Sequence, residues 1–132
     1  MATRSLICKE NEDGRLIGIY CGHDSYVAWV GKILFKNYNT KEKLEELLNK
    51  GDVCCLEAKV EDCDFYMEED TQAKTYENTE KLLDEWGYID FLYIFKQSSK
   101  WIVYENFGNK RQLDLEEALK NLWKEEREKE NE

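Results

Sequence analysis

Proline is absent from the 132 residues, histidine occurs once, and no apolar run approaches the roughly 18 residues that a membrane-spanning helix needs. Without proline nothing in the chain forces a helix to break or strips a ladder of a donor, which suits a helix-rich fold. One imidazole is a poor stock for a two-metal hydrolase. The opening Met-Ala-Thr-Arg-Ser lacks the apolar core of a secretory signal, so the protein is expected to be soluble and to stay where it is made. Positive charge is also scarce: 19 Lys and Arg stand against 29 Asp and Glu, a net charge of -10. Nucleic-acid phosphates demand a basic face, so direct binding of nucleic acid is excluded. The chain has no P-loop, dinucleotide fingerprint, serine elbow or metalloprotease helix. The expectation is a protein that is not an enzyme and carries no cofactor.

What is present is the material of one folded domain. Apolar residues make up 42% of the chain, with four Trp, eight Tyr and five Phe, and a single domain is expected over residues 1–124, followed by a polar, fraying tail over 125–132. The five cysteines (Cys8, Cys21, Cys54, Cys55, Cys63) are odd in number and contain no Cys-x-x-Cys pair. Zinc sites are usually built from closely spaced ligand pairs, so no metal is expected, and the thiols read as reduced, mostly core-filling side chains. On a strand, Cys54 and Cys55 would point to opposite faces.

The densest pattern lies in residues 16–51. Apolar runs at 5–8 and 16–21 flank Asn11-Glu12-Asp13-Gly14, and Asp-Gly supplies the positive φ angles of a hairpin turn. After Gly22-His23-Asp24-Ser25, where Asp24 or Ser25 is placed to cap a helix, Tyr26, Trp29, Val30, Ile33, Leu34 and Tyr38 recur at helical steps. Asn39 with Glu42 predicts the cap of a second helix over 40–50, with Leu44, Leu47 and Leu48 inward and Gly51 as a left-handed stop. Its outer face offers the pairs Lys41 with Glu45 and Glu46 with Lys50. Thr79 caps a short helix. Residues 91–95, apolar on both sides, read as a central strand that turns into 101–104, and 111–113 adds a short strand before a last helix capped by Asp114 with Glu117. The fold class is α+β: an antiparallel sheet of two hairpins, about four or five strands, covered mainly on one face by three or four helices.

Three constellations could carry chemistry. Cys21, His23 and Asp24 bring thiol, imidazole and carboxylate together in sequence, but a turn with a helix cap explains them better than catalysis does. Trp29, Tyr93, Phe95, Trp101, Tyr104 and Trp123 would stack a base if exposed, although their phases place most of them in the core. The main surface feature is acidic. Glu57, Glu61, Asp62, Asp64, Glu68, Glu69 and Asp70 face one cation, Lys59, while Phe65, Tyr66 and Met67 interrupt the run and argue that it docks instead of hanging free.

The segment from Gly18-Ile19-Tyr20-Cys21 through Val30 to Leu34, Tyr38-Asn39 and the leucine helix ending at Gly51-Asp52 resembles a family of small bacteriophage and prophage proteins, as do Met1 to Ser5 and the later Tyr93-Ile94-Phe95 and Trp101-Ile102-Val103-Tyr104. Members carry His-Trp-Asp-Gly-Tyr after the Cys, whereas this chain has Gly22-His23-Asp24-Ser25-Tyr26 and a middle acidic segment of its own. The resemblance implies an acidic inhibitor of a host nucleic-acid-targeting defence system, anti-CRISPR-like, acting in the bacterial cytoplasm. Its partner would be a basic CRISPR or restriction nuclease complex whose groove it occupies through the seven carboxylates between 57 and 70. A protein that sequesters a nucleotide signal, and an accessory phage protein acidic for solubility, stay open beside it.

Overall fold

The structure, a computed structural model, describes residues 3–130, with side chains described as far as residue 125. The first two apolar runs pair antiparallel as β1 (Ser5–Glu10) and β2 (Leu16–Cys21), closed by Gly14 at φ 84°. The middle of the chain adds three short strands, β3 (Val53–Cys55), β4 (Asp64–Phe65) and β5 (Lys74–Tyr76), and the C-terminal part supplies β6 (Phe91–Phe95), β7 (Trp101–Glu105) and β8 (Arg111–Asp114). All eight belong to one sheet of order β4-β3-β2-β1-β6-β7-β8, with β5 on the β2 side.

That sheet overturns the expected one. It is mixed, because β1 runs parallel to β6 and β2 parallel to β3, and both of its faces are covered. The physical reason is in β1 and β6, each apolar on both faces, which require cover above and below and a neighbour on either edge. Ile7, Ile19, Tyr93 and Val103 point into the larger core, while Leu6, Cys8, Leu92 and Ile94 point into a second core on the opposite face.

The helices divide between the faces: Leu34 of α1 (Lys32–Asn37), Leu44, Leu47 and Leu48 of α2 (Lys41–Leu48), and Leu115 and Leu119 of α4 (Leu115–Glu130) close the larger core, while Leu82 of α3 (Thr79–Glu85) closes the smaller. The first helix opens as a π-helical turn, Val27–Gly31, which shifts the phase of its apolar stripe. Val30, Leu34 and Tyr38 stay inside, but Tyr26 and Trp29 come out, 44% and 45% exposed.

Local details differ from the sequence expectations in the same spirit. Ser25 caps nothing: its hydroxyl receives the Ser5 hydroxyl at 2.8 Å and reaches back to the Cys21 carbonyl. Thr40, not Asn39, caps α2 by accepting the Lys43 N–H, and Asn78, not Thr79, caps α3 by accepting that of Lys81. Glu45 turns to Lys9 at 2.7 Å instead of pairing with Lys41 along its own helix. Gly51 does stop α2, at φ 87°, and Asp114 accepts the Glu117 N–H at the head of α4. The tail expected over 125–132 falls partly outside the described residues; up to Glu130 the backbone is helical.

Candidate functional site

Two features meet at the β3–β4 edge of the sheet. The first is built on a β-bulge between Val53 and Cys55, where Val53 pairs with Phe65 and Cys55 with Asp64. A bulge lets successive side chains lean to one side, so the opposite-face expectation for Cys54 and Cys55 fails: their sulfurs lie 3.9 Å apart. The turn after β2 delivers His23 to the same place. Gly22 donates its N–H to the Val53 carbonyl at 3.0 Å, and the His23 Nδ1 lies 3.3 Å from both the Cys54 sulfur and the Cys54 carbonyl oxygen.

Buried bonds fix that turn. The Tyr93 hydroxyl donates to the Ser25 carbonyl at 2.6 Å, and Asp24 takes up a left-handed φ of 54° that short polar side chains tolerate. A Cβ on Gly22 would stand 2.0 Å from the Tyr66 hydroxyl, so only glycine lets that ring close over the turn.

The arrangement is not the Cys21–His23–Asp24 constellation read from sequence. Cys21 ends its strand with its thiol wholly buried, 3.6 Å from the His23 carbonyl, while the imidazole serves Cys54. Burial pushes the Cys21 thiol up, and it likewise pushes Cys55 up to about 11, helped by the adjacent Cys54 thiol and by Asp64 and Asp24. Both are therefore held as thiols and not as resting thiolates. His23, Cys54 and Cys55 together are a set of metal-ligand type, all donor atoms within 4.8 Å of one another. Spacing rules miss it because the imidazole arrives from the turn after β2 and the bulge is set by pairing with β4.

The second feature is the acidic run. Val60, in a short 3-10 turn at Val60–Asp62, is buried, and Phe65 and Tyr66 are half-buried, so the segment is seated on the sheet edge. Two further bonds close its first loop: the Tyr38 hydroxyl donates to the Glu57 carbonyl at 2.8 Å, and the Glu57 N–H donates to the Cys63 sulfur at 3.2 Å. Glu57, Glu61, Asp62, Asp64, Glu68, Glu69 and Asp70 are all exposed, and among the described residues none forms an ion pair. Met67, 93% exposed, stands in the middle of them.

Of the aromatic candidates, Trp29 is exposed and Tyr104 and Trp123 are half-buried. Tyr93, Phe95 and Trp101 are buried, and a row of half-exposed rings that the sequence reading did not single out, Tyr66, Tyr20, Trp86 and Tyr88, spends its faces on itself, with centroids 5.3–6.2 Å apart. Arg4 lies 5.9 Å from the centroid of the Tyr88 ring at the end of the row. A cleft of about 640 Å³ brings Lys9, Lys41 and Lys96 together, but Lys9 is paired with Glu45 and Lys96 with Glu10, and Glu12 and Asp13 share the wall.

Compared with protein-family models, with curated proteins and with solved structures, the chain matches none of them. Among the described residues, no helix is long and apolar enough to cross a membrane.

Proposed function

We propose that this protein is a phage-encoded acidic inhibitor of a host nucleic-acid-targeting defence system, anti-CRISPR-like, which works in the bacterial cytoplasm by occupying the basic groove of a nuclease complex. The observation that carries the reading is the seated acidic run: seven carboxylates held on an ordered edge, all exposed, none neutralised by a cation among the described residues. Fixed carboxylates imitate a phosphate track, steer onto a channel lined by Arg and Lys, and lose little freedom on docking because the loop is already closed by Tyr38 and Cys63. Met67 adds an apolar anchor at the centre of the charged patch. The role requires binding and no catalysis. A nucleotide-sequestering role has less support, since it asks for an open aromatic face beside free cations, and the row of rings and the lysine cleft supply neither together.

The test is capture of partners from a lysate carrying defence systems, at about 0.1 M and about 0.5 M salt, between which the Debye length falls from about 10 Å to about 4 Å. A nuclease complex should be retained at the lower salt and lost at the higher. Changing Glu61, Asp62, Glu68 and Glu69 to Lys should abolish both retention and inhibition with an unchanged circular dichroism spectrum. Full inhibition by that variant would sink the reading.

A further inference from the structure

We propose that His23 Nδ1, Cys54 Sγ and Cys55 Sγ form a binding site for a thiophilic divalent cation of the zinc class. Two of the three donor separations already match the ion. Tetrahedral coordination, with metal–sulfur bonds of about 2.3 Å and a metal–nitrogen bond of about 2.0 Å, sets sulfur–sulfur at about 3.8 Å and nitrogen–sulfur at about 3.5 Å. The site has 3.9 Å between its sulfurs and 3.3 Å from Nδ1 to the Cys54 sulfur, and all three donor atoms lie within 4.8 Å of one another, so rotation of the exposed His23 ring and the Cys55 side chain would bring the third pair to bonding range. The backbone is already in place, through the bulge at β3 and the Gly22 N–H bond to Val53.

The alternative use of adjacent thiols is a disulfide, and geometry disfavours it. Neighbouring Cα atoms across a trans peptide are about 3.8 Å apart, short of the roughly 4.4–6.8 Å that an unstrained disulfide spans. A metal accepts both sulfurs without joining them. Charge balances as well: the cation displaces one proton from each thiol to solvent, and two thiolates with a neutral imidazole make an uncharged unit around a divalent ion. Three protein donors leave one position of the tetrahedron for water or a carboxylate, and Asp64 stands opposite Cys55 in the β3–β4 ladder.

Cobalt(II) titration of the full-length reduced protein tests the proposal, because thiolate ligation to cobalt produces a charge-transfer absorption. One equivalent should bind and be displaced by zinc(II). The band should vanish in the double variant Cys54→Ser, Cys55→Ser and persist in Cys63→Ser. In His23→Gln, where the altered side chain is exposed and the fold is not at risk, affinity should fall at least about tenfold. Failure of the wild type to give the band, or its survival in the double variant, would overturn the site. So would an intact mass lower by two hydrogens without metal uptake, with the lost hydrogens mapped by peptide digestion to a Cys54–Cys55 disulfide. The titration uses no partner protein, so its outcome is separate from that of the capture experiment.

Discussion

Asp52 connects three segments through one residue. Its carboxylate accepts the Tyr20 N–H at 2.8 Å, its N–H donates to the Thr71 carbonyl at 2.7 Å, and its own carbonyl accepts the Tyr66 N–H at 3.1 Å. Burial raises its pKa above the ordinary carboxylate value, and the Tyr20 bond and Lys74 only partly oppose the rise. A carboxyl that holds its proton more tightly in the folded than in the unfolded chain favours the fold at low pH, and that contribution is lost as pH rises through the raised folded value. At pH 7 the charged Asp52 is therefore a liability. Asn keeps an oxygen for the Tyr20 N–H without the charge, so Asp52→Asn should raise Tm at pH 7, and the gap to wild type should narrow towards pH 4. A gap of the same size at both pH values would show that desolvation of this carboxylate is not the cause.

At the scale of elements, Tyr38 couples the end of α1 to the acidic loop. Its hydroxyl holds the Glu57 carbonyl, while its own carbonyl accepts the Trp101 indole N–H at 3.1 Å, so the hydrophobic core and the charged edge share one wholly buried side chain. Removing the hydroxyl leaves the Glu57 carbonyl without this partner. Tyr38→Phe should lower stability by about 1–2 kcal/mol in urea titrations and speed amide exchange in residues 57–63. Unchanged exchange there would mean that the Cys63 thiol alone closes the loop.

The same scale explains what can be read in advance. The hairpins of β1 with β2 and β6 with β7, the stop at Gly51 and the cap at Asp114 are legible because each depends on residues a few positions apart. The parallel join of β1 to β6 is not, since no turn announces a pairing between strands more than 80 residues apart. Nor are β4 and β5, of two or three residues each, long enough to show an alternation, and β3 shows only as a brief apolar run. The acidic run is plain in the sequence; the His23–Cys54–Cys55 group is hidden by the bulge, which only the pairing of Cys55 with Asp64 creates.

For the molecule as a whole, the question is which sign its electrostatics has. The ion pairs Lys9–Glu45, Lys96–Glu10, Arg111–Glu105, Arg15–Asp13 and Lys120–Glu116 attract, yet each has at least one partner open to solvent, and surface pairs contribute about 0–1 kcal/mol each and weaken with salt. Against them stands the mutual repulsion of a chain with net charge -10, concentrated where seven carboxylates crowd the β3–β4 edge. Salt screens both, but the repulsion sums over many more pairs, so added salt should stabilise. Tm should rise between about 0.02 M and about 0.5 M sodium chloride, as the Debye length falls from more than 20 Å to about 4 Å. The variant with Lys at positions 61, 62, 68 and 69 carries -10 + 8 = -2, and its Tm should respond much less to salt. A wild-type Tm that falls with salt would place the balance with the ion pairs. It would also mean that the acidic edge holds little stored repulsion for a basic partner to relieve on docking.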